Sequence, residues 1–145
     1  MKTKYTTATF AGLTLLASSA LISTVSAETL SYKAALKGTD EVPATTSKGT
    51  GAAEFTYDTA TKKLTYKVTY SGLSGAATAA HIHGPAEAGK NAGVAVPFVN
   101  PASPIEGSAT LTDGQAADLT SGKMYVNVHT AENKGGEIRG QIVKK

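Results

Sequence analysis

Three histidines carry most of the chemistry this sequence could perform. His81 and His83 are separated by a single residue. On a β-strand such residues share a face, roughly 6–7 Å apart at Cα from the strand rise. Two imidazoles so placed can converge on one ion. His129 lies within Tyr125-Val126-Asn127-Val128-His129-Thr130. There Met124, Val126 and Val128 make the apolar face, so His129 points the other way and is available. Neutral imidazole suits copper, zinc or nickel. Copper is the first expectation and zinc the second; three neutral nitrogens suit both, and only geometry or redox state separates them. The same three side chains have other readings. They can be buried hydrogen-bond posts that hold strands together, or part of a metal-free surface that recognises an extracellular protein or a glycan.

The surroundings of His129 extend this polar face. Tyr125 and Asn127 alternate with it, and Glu137, Arg139 and Gln141 alternate against Ile138, Gly140 and Ile142. If the last two strands pair, Tyr125, Asn127, Glu137 and Arg139 are the expected second shell of a metal, or the expected recognition face. Taken alone, Glu137 and Arg139 read as an ordinary solvated pair. Asp40-Glu41 reads as a polar turn, well short of the ligands a calcium loop supplies. No serine sits in a nucleophile elbow, and no glycine-rich stretch has the lysine and helix of a phosphate loop. No catalytic residue is expected. An enzyme is conceivable only through an open metal position. With no cysteine in the chain, thiol catalysis, thiolate zinc and disulfides are excluded.

The elements that must position these residues have period two, the mark of half-buried strands. Leu30, Tyr32, Ala34 and Leu36 alternate with polar or small residues. So do Ala53, Phe55 and Tyr57, and then Leu64, Tyr66, Val68 and Tyr70. Further strands are expected over 77–83, 94–98, 105–112, 124–130 and 136–143. Turns fall at Gly38-Thr39-Asp40, Asp58 to Lys62, Ser71 to Gly75, Gly84-Pro85 and Asn100-Pro101. Residues 43–52 read as an exposed loop. Residues 115–121 have room for one helical turn, with Asp113 near its start. About seven or eight short strands predict an all-β fold, an antiparallel two-sheet sandwich or flattened Greek-key barrel.

Lys2 and Lys4, an uncharged run from Ala8 to Ile22, and Val25-Ser26-Ala27 form a secretory signal pattern, with cleavage expected after Ala27. The apolar run is shorter than the roughly 20 residues of a membrane span. Residues 28–145 then form one domain, secreted or periplasmic, with no span after cleavage. The net charge of +3 loses Lys2 and Lys4 and falls to about +1. No basic block remains, and nucleic acid is not an expected partner.

Longer motifs suggest a family. Gly38-Thr39-Asp40-Glu41-Val42-Pro43, Leu64-Thr65-Tyr66, Gly72-Leu73, His81-Ile82-His83-Gly84-Pro85-Ala86, Tyr125 to Thr130 and Gly135 to Ile142 resemble the CHRD (chordin-type) domain over nearly all of residues 28–145. Ala44 and Lys134 stand where that family commonly has proline, both in loops. The resemblance implies an all-β domain in an extracellular setting and little about activity. A narrower likeness, the His-X-His strand alone, is similar to copper/zinc superoxide dismutase. The further zinc ligands and the fourth copper histidine of that family have no counterparts here, so dismutase activity is not expected to follow.

Overall fold

The computed structural model describes residues 26–145. The signal pattern expected over residues 1–27 therefore lies almost wholly outside the described residues. The strands are β1 (Thr29–Lys37), β2 (Thr50–Asp58), β3 (Lys63–Ser71), β4 (Ala77–His83), β5 (Val94–Pro97), β6 (Ile105–Thr110), β7 (Tyr125–Thr130), β8 (Ile138–Gln141) and β9 (Val143–Lys144). A 3-10 turn (Gly38–Asp40) follows β1, and one helix, α1 (Asp113–Thr120), precedes β7. Among the described residues, no helix is long and apolar enough to cross a membrane.

The strands pair antiparallel in the order β5-β4-β7-β8-β1-β2-β3-β6, with β9 also on β1. The sheet curls into a nearly closed barrel. Alternation explains the curl. Tyr32, Ala34 and Leu36 of β1, Phe55 and Tyr57 of β2, Leu64, Tyr66 and Val68 of β3, and Ile82, Val126 and Val128 across the barrel all enter one core. Where the two ends of the sheet meet, the Phe98 ring beyond β5 packs 4.4 Å from the Tyr66 ring of β3. The fold is thus all-β, as the periodicity predicts.

Two segments extend further than the sequence suggested. β2 begins at Thr50, inside the stretch read as loop, because Thr50 to Ala52 find partners on both β1 and β3. The helix has two turns, because Thr112 and Gln115 form a capping box. The Thr112 hydroxyl accepts from the Gln115 N–H at 3.2 Å, and the Gln115 side chain accepts from the Thr112 N–H at 2.9 Å. Gln115 also donates to the Ala95 carbonyl of β5 at 2.9 Å, which ties the helix to an open sheet edge. Thr112→Ala is expected to cost about 1 kcal/mol in denaturant unfolding. An unchanged midpoint would show that the helix is held by Leu119 packing alone.

Candidate metal centre

Register brings the histidines together. In the β4–β7 pair, His83 faces Tyr125, His81 faces Asn127 and Ala79 faces His129. In the β7–β8 pair, Asn127 faces Arg139 and Tyr125 faces Gln141. The outward side chains of three neighbouring strands therefore form one polar field, backed by Ile82, Val126, Val128 and Ile138 in the core. β8 also lies close to β1, where a Cβ at Gly140 would collide with the Ala35 carbonyl oxygen.

That field is open to solvent only at its His81 and His129 end, where both side chains are half-buried. His83, Tyr125, Asn127 and Arg139 are all buried. The connection between β4 and β5 folds over them and is held by many bonds. The Arg139 guanidinium donates to Lys90 O at 2.6 Å and to Asn91 Oδ1 at 3.0 Å. Asn91 Nδ2 donates to Val42 O at 2.9 Å, and Gln141 Nε2 donates to Ala86 O at 2.9 Å. Beneath the loop, three planar groups stack. Arg139 Cζ sits 3.4 Å from the Tyr125 ring centroid, and the Tyr125 ring lies nearly parallel to His83 at 4.8 Å.

Each of the three histidines offers one ring nitrogen, and these nitrogens lie within 4.8 Å of one another. His81 Nδ1 and His129 Nε2 are 3.1 Å apart. His129 Nδ1 is 2.9 Å from Lys134 O, and His83 Nδ1 is 3.0 Å from Ala92 O. A carbonyl oxygen only accepts, so Nδ1 of His129 carries the proton, whereas His83 meets a second acceptor oxygen, Asn127 Oδ1, at Nε2. For His129, the lone pair is then on Nε2. Backbone carbonyls that fix the tautomer in this way are a recurring second shell of metal-bound imidazoles. Metal–nitrogen bonds of 2.0–2.1 Å hold two ligands at most about 4.2 Å apart, so the rings must close slightly to share an ion. Among the described residues His81 is bonded only to His129, which leaves its ring able to turn. Burial holds the His81 and His83 titrations below that of free imidazole. The neighbouring histidines add to this for His81, while hydrogen bonds to Ala92 and Asn127 oppose it for His83.

The other polar residues divide. Tyr125 and Asn127 touch His83, by stacking and by a 3.0 Å contact from His83 Nε2 to Asn127 Oδ1. Arg139 reaches His83 only through Tyr125. The Glu137 carboxylate is bonded elsewhere. It accepts from Ser47 Oγ, Ser74 Oγ and Thr130 Oγ1, each at 2.6 Å, and from the Ser74 N–H at 2.7 Å. Burial raises its titration, but these four donors outweigh burial and leave it at about 2.

Sequence reasoning missed Glu41. It is buried beside Asn127, and burial pushes its carboxyl up to about 7 against the pull of Arg139, Asn127 and the Val42 N–H. Nothing in Asp40-Glu41-Val42-Pro43 signals that burial. A surface groove of about 520 Å³ lies across β1, β2, β3 and β6 and contains none of these residues.

The CHRD domain family model matches residues 32–142. No curated protein and no solved structure shows a significant match to the chain.

Proposed function

Because the chain belongs to the CHRD domain family, we propose that it is an exported all-β domain that holds one transition-metal ion through His81, His83 and His129, copper before zinc. One observation carries the reading. Three imidazole nitrogens from two adjacent strands lie within 4.8 Å, and two of the rings have their other nitrogen bonded to a backbone carbonyl. The absence of cysteine leaves an all-nitrogen set, which suits Cu(II) and Zn(II). The role is binding, storage or delivery. Closure of the loop over Tyr125, Asn127 and Arg139 supports this reading over a recognition face, since a protein or glycan would first have to displace that loop. Tyr125, Asn127 and Arg139 then serve to fix His83, and Glu137 to anchor the strand end beside His129.

The test is titration of the domain comprising residues 28–145 with Cu(II), Cu(I) and Zn(II), following stoichiometry and melting temperature. A complex saturating at one equivalent, with a rise in melting temperature, is expected. The His81→Ala/His83→Ala/His129→Ala variant should show neither. A metal response in that variant equal to the wild type would move the site elsewhere. No response in the wild type would leave the histidines as hydrogen-bond posts.

A further inference from the structure

His83 faces acceptor oxygens at both ring nitrogens. Nδ1 lies 3.0 Å from Ala92 O, and Nε2 lies 3.0 Å from Asn127 Oδ1. A neutral imidazole has one N–H, so one of these contacts contains no proton. Charging the ring would supply it, but burial and the positive charge of Arg139 oppose that. On the far side of Asn127, Glu41 Oε1 is buried with no hydrogen-bond partner. The Asn127 amide is the side chain that approaches this carboxylate.

These two defects share a remedy. The oxygen and nitrogen of an asparagine amide have nearly the same shape, so turning the amide over leaves packing unchanged. With Asn127 turned and Glu41 protonated, the Glu41 hydroxyl donates to Asn127 Oδ1. Asn127 Nδ2 donates to His83 Nε2, and His83 Nδ1 donates to Ala92 O. All three contacts then hold a proton. With Glu41 ionised, Asn127 Nδ2 turns to the carboxylate and Oδ1 opposes the Nε2 lone pair. Nothing in the protein then satisfies Nε2, and a cation can.

We propose that Glu41, acting through the Asn127 amide, decides whether His83 Nε2 is bonded within the protein or free to hold a metal ion. This rests on the three-histidine reading. Glu41 is a positioning residue, since its contact is with Asn127 and not with a histidine. Its charged surroundings are Arg139 of β8, Asp40 beside it in the chain, and Glu132 and Lys134 at the cleft that Glu41 and Gly136 line. Gly136, at φ +128°, keeps the space open, because a Cβ there would overlap Glu41 Oε1 and crowd Asn127 Nδ2. Metal uptake expels the Glu41 proton, so affinity should climb about tenfold per pH unit below the point where that carboxyl titrates.

The test begins without metal. In labelled protein between pH 5 and 9, the Glu41 carboxyl carbon, the Asn127 side-chain amide and His83 Nε2 should shift together with one midpoint. In Glu41→Gln, which donates permanently to Asn127, the Asn127 and His83 signals should not follow that titration. A Glu41 titration that Asn127 and His83 ignore would overturn the proposal. Zn(II) affinity is then measured from pH 6.5 to 8. The wild type should bind more tightly as pH rises, and Glu41→Gln should bind about tenfold more weakly at pH 8 with a flatter profile. Equal affinity and equal slope in the two proteins would also overturn it. Coupled signals with no zinc binding in the wild type would instead remove the three-histidine reading, and the gate with it, while leaving the hydrogen-bond chain.

Discussion

Arg139→Met lowers stability by about 4 kcal/mol in denaturant unfolding, the largest effect expected of a single side chain here. The guanidinium is almost fully buried, at 1% exposure. It lies on Tyr125 and donates to Lys90 O and Asn91 Oδ1. A desolvated cation on an aromatic face contributes about 2 kcal/mol. Each buried acceptor left unpaired costs about 1–3 kcal/mol. Relief of the charge's own desolvation works the other way. It does not win, because methionine fills the volume but the loop acceptors keep their need for a donor. The loop can meet that need only by lifting into water. Trypsin should therefore cut after Lys90 faster in the variant than in the wild type at a temperature where both are folded. Unchanged cleavage, or a more stable variant, would mean that desolvation dominates and that Arg139 does not hold the loop down.

The burial of Arg139 bears on how much of the site is legible in sequence. Alternation places His81 and His83 on one face and puts Tyr125, Asn127 and His129 on another, and antiparallel pairing of β4, β7 and β8 merges the two. Period two suffices for that, because it depends only on local backbone geometry. What covers the face is not local. In the loop from Gly84 to Gly93 only Gly84-Pro85 reads as a turn, and the loop's closure depends on bonds to Arg139, Gln141 and Val42, which are distant in sequence. The part of the polar face around His83, Tyr125, Asn127 and Arg139 is in fact a second, hydrogen-bonded interior. Glu41 shows the same limit, since its burial follows from the close approach of Gly136. The capping box of Thr112 and Gln115 was legible, and would have given the helix its second turn.

Glu137 follows alternation only as far as its backbone. Its chain neighbour Gly136 has φ +128°, a conformation open to glycine, and the carboxylate is delivered to Ser47, Ser74 and Thr130. This has a consequence in acid. The folded carboxyl titrates at about 2 and its ordinary value is 4.5. A depressed value means that the unfolded chain binds the proton more readily. The stabilisation is therefore complete above pH 4.5 and is lost as pH falls from there through about 2. It amounts to about 3 kcal/mol at neutral pH. Glu137→Gln keeps the shape and one accepting oxygen but cannot ionise. Its unfolding free energy at pH 7 should fall short of the wild type by about 3 kcal/mol, and the two curves should converge as pH approaches 2. The difference between the two proteins isolates Glu137, because every other group titrates in both. Parallel curves over the acid range would show that the four donors hold the glutamate for its shape and not for its charge. The segments bearing Ser47 and Ser74 would then be anchored by packing alone.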